Sequence, residues 1–244
     1  MKTIIKRSMA EESYSGDKIV RAMEKAFTSV GIVQDADLTA DLLRQVEAEF
    51  ADRDQAGVEE IQDAVERVMM ANGCFDVAKS YILYREKRAE MRKIRETLVA
   101  EIGDENLLPV LDSIQSSYEH YDLTRLEAKY IAMQKPDSTI DARLELLTKS
   151  AAELTTQEEP NWEKIAGRLL YYTFSRELKK TEENYGLTSF YEKLRYLTSE
   201  GLYGKYILES YSKKEIEEAF EFIDDERNNL YTYAGLDLLI SRYL

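Results

Sequence analysis

The sequence predicts a mainly α-helical protein, and three observations predict it. Ten glycines and three prolines in 244 residues cannot punctuate many strands. Apolar residues recur at helical spacing along most of the chain. The one conspicuous β-branched run, Thr3-Ile4-Ile5, is short and lies at the amino terminus.

The run delivers two adjacent cations, Lys6 and Arg7, and a polar turn then brings the chain back through Glu12, so the start reads as a β-hairpin. Ser15 or Asp17 can cap a first helix carrying Ile19, Val20, Met23 and Phe27, which stops around Val30-Gly31. A second helix runs from about Asp37 to Phe50, with Leu38, Leu42, Val46 and Phe50 on one face. Gly57 precedes a third, which carries Val58, Ile61, Val65, Val68 and Met69 to the terminator Asn72-Gly73. A fourth starts near Phe75, shows Val77, Ala78, Tyr81 and Tyr84, and continues as a charged helix to about Arg95. Four amphipathic helices and a hairpin make a first domain over 1–100.

Residues 101–122 read as a linker, with His120 in an exposed loop. A second helical domain follows over 123–244. Its helices are expected at Leu123–Met133, Ile140–Leu154, Pro160 to about Leu178, Thr188–Ser199, Lys213–Ile223 and Tyr231–Leu244. Val77–Tyr84 and Ile165–Tyr172 share a pattern, each after an apolar helix, a break and an aromatic (Phe75, Trp162). A degenerate duplication and a coincidence of two amphipathic helices both account for it.

Bulk properties exclude several classes of function. A net charge of −14 argues against nucleic-acid binding, which needs a basic face to release counterions, and against an anionic membrane surface. One cysteine, Cys74, and one histidine, His120, leave no disulfide framework, zinc site or histidine triad. No apolar run approaches the roughly 18 residues that span a bilayer, and the basic start lacks a signal peptide's apolar segment. A cytoplasmic protein is expected. The acids and the seventeen tyrosines read as solvated helix faces and core packing, and no catalytic residue or metal ligand is expected.

What remains is binding. Lys6, Arg7 and Lys18, the last in the first turn of a helix whose N–H groups attract anions, suit a polyphosphate. Consecutive strand residues point to opposite faces, so either both Lys6 and Arg7 bend around it or one of them pairs with an acid. Glu12, across the hairpin, can accept a hydrogen bond from an exocyclic amine. Ile4, Ile19 and Ile61 can wall a base, and Arg85 and Arg88 can close the site from the fourth helix.

The set Ile4-Ile5-Lys6-Arg7, Asp17-Lys18-Ile19, Val58-Glu59-Glu60-Ile61-Gln62 and Phe75–Arg85 resembles the ATP-cone, the regulatory module at the amino terminus of ribonucleotide reductase large subunits. The resemblance covers residues 3 to about 92. It implies a helical bundle capped by a small β-sheet, and ATP or dATP, with Mg2+ held through the phosphates, as allosteric effector of overall reductase activity. Carried over by position, Lys6, Arg7, Lys18 and Arg88 would hold phosphates. Glu12 and the turn Ser13-Tyr14-Ser15-Gly16-Asp17 would recognise adenine and close over it. Val58, Ile61 and Gln62 would contribute from the third helix, and Tyr84 would flank the base. Ser8-Met9 stand where the family usually has Asp-Gly. Methionine does not take positive φ cheaply, so the turn is expected to differ or to be looser.

The second block resembles the helical region that precedes the catalytic barrel in the same subunits, through Glu158–Leu170, Gly201-Leu202-Tyr203, Tyr206, Phe222–Arg227 and Tyr231–Leu236. It reads as a decayed cone with no nucleotide of its own. Ribonucleotide reduction in that family needs several cysteines and a barrel carboxylate, so this chain alone is expected to be inactive. The partners implied are the catalytic barrel, on the same or a separate chain, a radical-generating small subunit, and further copies in a homo-oligomer. The alternative is a nucleotide-free scaffold that docks the barrel or another subunit.

Overall fold

The computed structural model describes residues 2–7, 9–33 and 36–243. The chain divides into two compact units, one ending at Glu90 and the other beginning at Met91.

The first unit opens with β1 (Thr3–Ile5) and β2 (Glu11–Ser13), followed by α1 (Gly16–Ser29), α2 (Ala36–Ala48), β3 (Gln55–Gly57), α3 (Val58–Ala71) and the start of α4 (Phe75–Ile102). β1 is the central strand of a three-stranded sheet. It pairs antiparallel with β2, with Ile4 opposite Glu12, and parallel with β3, with Ile4 opposite Ala56. β3 was not foreseen. Three residues are too few to show a period of two, and only the pairing makes them a strand. The helices pack as their spacing demands. Met23, Leu42, Ala64, Met69 and Ala78 are fully buried in a core that also holds Phe27, Phe50, Val65 and Val77. Gly73, at φ +75°, ends α3 and lets the chain turn into α4.

α4 is longer than expected. It runs beyond Arg95 to Ile102, ends at Gly103 (φ +81°), and its Met91, Ile94, Leu98 and Ile102 belong to the core of the second unit. That unit continues with α5 (Leu107–Ser117), α6 (Leu123–Met133), α7 (Ile140–Ala152), α8 (Trp162–Asn184), α9 (Phe190–Ser199), α10 (Tyr206–Ser210), α11 (Lys213–Phe220), a 3-10 turn (Asp225–Leu230) and α12 (Tyr233–Tyr243). The stretch expected as a linker is therefore largely α5. Leu107, Leu111 and Ile114, one turn apart, are buried in the core. His120 is exposed in the turn after α5, and Cys74 is half-buried. Trp162 is fully buried, with Tyr121 edge-on at 5.5 Å. Gly167 is a contact point: a Cβ there would lie 2.4 Å from the Tyr231 carbonyl oxygen. Among the described residues no helix is long and apolar enough to cross a membrane.

Candidate functional site

The site is built where the hairpin meets the start of α1. Pairing β1 with β2 places Ile4 opposite Glu12, and the chain leaving β1 carries Lys6 to the same carboxylate. Lys6 Nζ lies 3.1 Å from Glu12 Oε2, and Lys18 Nζ, from the first turn of α1, donates to Glu12 Oε1 at 2.5 Å. Hydrogen bonds from Lys18 first and Lys6 second hold the Glu12 carboxyl below its usual value. Two ammonium groups thus converge on one anion beside a helix N-terminus. Ser15 is the N-cap residue in extended conformation, and its side chain makes no capping hydrogen bond. The Lys18 N–H turns back to the Ser15 carbonyl at 3.3 Å, and the Ser15 side chain does not compete for the N–H groups at the very start of α1.

Arg7 goes elsewhere. Its Nε donates to Glu59 Oε1 and its Nη2 to Gln62 Oε1 at 3.2 Å, so one of the adjacent cations pairs with an acid as the strand geometry allowed. Arg85 also meets Glu59, its Nη2 donating to Oε2 at 2.5 Å. Its Nη1 donates to Asp63 at 2.6 Å and Glu66 at 2.7 Å. Burial works against the Arg85 charge, but the three carboxylates outweigh it and strengthen its hold on its proton. The Glu59 carboxyl is held low chiefly by the Arg7 hydrogen bond, which works against burial, and Arg85 adds a lesser pull in the same direction. Arg85 therefore clamps α4 to α3 and does not reach across the hairpin. Arg88 donates to the Tyr84 hydroxyl at 2.8 Å and lies 5.7 Å from the centre of that ring.

The remaining expected residues sort by burial. Ile19 and Ile61, expected as walls for a base, are core residues at 8% and 4% exposure, because the face they share with Met23 and Val65 is the packed one. Ile4 and Val58 are half-buried, and Ser13 ends β2 opposite Thr3. Tyr14 turns away from the lysines and donates to Glu47 Oε1 at 2.8 Å. Gly16 begins α1 close to α2: a Cβ would stand 3.1 Å from a Leu43 methyl. Asp17 is exposed in the first turn of α1. In the hairpin turn Met9 does adopt positive φ, at 64°. The turn is tight all the same, closed by Lys6 N–H to Ala10 O and Met9 N–H to Lys6 O, both 2.9 Å. Ser8 lies outside the described residues. Glu59 is the residue that sequence reasoning missed. The signal was there: Glu59, Asp63 and Glu66 recur at i, i+4 and i+7 on one face of α3, a stripe that needs a cation.

A cationic hairpin, an uncapped helix start and a four-helix scaffold behind them define a class. Residues 2–90 match the family described as the ATP cone domain, and the first unit belongs to that family. Over its whole length the chain is homologous to ribonucleoside-diphosphate reductase alpha subunits. It is 39% identical to the alpha subunit of Treponema pallidum (strain Nichols), across 99% of this chain and 30% of that protein. It is 34% identical to the vitamin B12-dependent ribonucleoside-diphosphate reductase of Thermoplasma acidophilum, across 63% of this chain and 19% of that one. It is 32% identical to the anaerobic ribonucleoside-triphosphate reductase of Salmonella typhimurium, across 41% of this chain and 14% of that one. The chain thus spans less than a third of the length of these relatives.

Proposed function

We propose that the first unit binds ATP or dATP and that its occupancy regulates a ribonucleotide reductase large subunit, whose catalytic barrel and small-subunit partner are its working context. The observation that carries this reading is the convergence of Lys6 and Lys18 on Glu12 beside the uncapped start of α1. Two ammonium groups and open N–H groups are what a triphosphate requires. Lys6 and Lys18 would hold it, and Arg7 and Arg88 would join by rotating off their present partners. Glu12, released from the lysines, is free to accept from the adenine amine. Mg2+ would ride on the phosphates and needs no protein ligand. Regulation follows from linkage: if assembly of the reductase changes dATP affinity, dATP changes assembly by the same factor. Calorimetry of the wild type with ATP and dATP, beside Lys6→Ala and Lys18→Ala, tests the reading. Each substitution should weaken binding about tenfold, the scale of one charge-assisted phosphate contact. Wild-type protein that binds neither nucleotide at millimolar concentration defeats it.

A second reading, a docking scaffold, is favoured by the end of the second unit. There Leu202, Phe222, Leu230 and Tyr243 are 72–90% exposed. A cavity of about 500 Å³ lies between α9, α10 and α11, lined by Phe190, Leu194, Tyr203, Ile207, Tyr211 and Ile216. An apolar cavity of this kind can seat a side chain of another protein surface. A chain that binds no nucleotide yet pulls down a separately expressed reductase barrel would favour this reading.

A further inference from the structure

The cations of the hairpin are not waiting for a ligand; the chain already holds them. In the two clusters Lys6, Lys18, Arg7 and Arg85 face Glu12, Glu59, Asp63 and Glu66, so four positive side chains meet four carboxylates. The lysine cluster keeps one net positive charge, two ammonium groups on Glu12, whereas Arg7 and Arg85 face three carboxylates, so a polyphosphate gains Arg7 only by drawing it off Glu59. Glu59 is the member whose release has consequences beyond the hairpin, because its two oxygens hold cations of different elements: Oε1 takes Arg7 from the β1–β2 turn and Oε2 takes Arg85 from α4.

The two sides of this bridge are unequal. Arg85 is 21% exposed and fixed by Asp63 and Glu66 as well, whereas Arg7 is 34% exposed and otherwise held by the neutral Gln62. Half-exposed ion pairs are worth little and break readily; a guanidinium ringed by three carboxylates does not. An approaching polyanion would therefore repel Glu59 and draw off Arg7, leaving Arg85 in place. Resting on the nucleotide-binding reading above, we propose that Glu59 is a latch. It competes with the triphosphate for Arg7, and on release it gives its whole charge to Arg85, so that α4 registers what the hairpin has bound.

The latch predicts effects of opposite sign. Glu59→Gln keeps the shape and removes the competing charge, so ATP should bind about threefold or more tightly, the scale of one half-exposed ion pair. Arg85→Gln leaves Glu59 to Arg7 alone and should weaken ATP binding by a similar factor. In the double variant the loss of Arg85 should have no further effect, because its influence passes through Glu59. If Arg85 touched the nucleotide directly, its loss would weaken binding in either background. The measurement is calorimetric titration of the full chain with Mg-ATP at fixed salt, with circular dichroism melts to confirm folding. Should Arg85→Gln fail to fold, Glu59→Gln decides alone. Unchanged or weaker binding by Glu59→Gln, with normal binding by the wild type, overturns the latch and leaves the nucleotide reading standing. A wild type that binds nothing overturns both.

Discussion

The hairpin turn stores strain at Met9, and relieving it should stabilise the part of the molecule that carries the candidate site. Met9 sits at φ 64° and is 79% exposed, so it contributes little packing and bears the left-handed penalty. For a non-glycine residue that penalty is about 1–2 kcal/mol. Met9→Gly removes it but frees the unfolded chain by about 0.4–1 kcal/mol, leaving a net gain of about 0.5–1 kcal/mol. The turn's own hydrogen bonds are unaffected by the change, because both are made by backbone groups. The assay is amide hydrogen exchange on the full chain. The Lys6 and Met9 amides, which close the turn, should exchange about two- to fivefold more slowly, the factor to which that gain converts. Met9→Ala is the control: it removes the exposed side chain, keeps the unfavourable φ, and should leave the rates unchanged. Equal or faster exchange in Met9→Gly, or slowing in Met9→Ala to match it, would refute the strain argument.

Three further outcomes are expected. Gly167→Ala should cost about 2–3 kcal/mol, because its Cβ would meet the backbone of Tyr231 and Thr232 at 2.4 and 3.0 Å, and backbone cannot step aside as a side chain can; thermal melts would read this as a clear loss of Tm. Asp104→Ala should lower the urea midpoint by an amount equivalent to about 2–3 kcal/mol, since it leaves Arg176 Nε, now at 2.9 Å, and the Tyr172 hydroxyl, at 2.8 Å, without their buried partner. Carbon-detected NMR should find Glu12 titrating below its ordinary value of 4.5, and Lys18→Ala should raise it more than Lys6→Ala. Because the folded value is the lower one, the lysine–Glu12 tie contributes fully above pH 4.5 and is lost as pH falls through the folded value; a wild-type Glu12 titrating at or above 4.5 would contradict the convergence of the two lysines.

Much of the architecture was legible in the residues. The four helices of the first unit and their buried faces follow from local periodicity, which needs no knowledge of the partner surface. The misses share one cause. β3 has only its pairing with β1 to define it. The expected linker hid α5 because Leu107, Leu111 and Ile114 occupy just three turns between polar stretches. Within the candidate site, Lys6, Lys18 and Glu12 could be grouped in advance, since a hairpin and the helix that follows it must lie close together. Arg7 and Arg85 could not be assigned to Glu59, because those contacts join residues 52 and 26 positions apart.

The sequence by itself determined the helical character, the amphipathic faces and the cluster of charge at the amino terminus, since each depends on neighbours within a few residues. Only the tertiary structure decided which carboxylate each cation meets and that Met9 takes a left-handed turn. The physical reason is range. Backbone preference and periodicity act along the chain, whereas an ion pair forms with whichever charge folding brings within a few ångströms, and on this acidic chain almost every cation has several candidates.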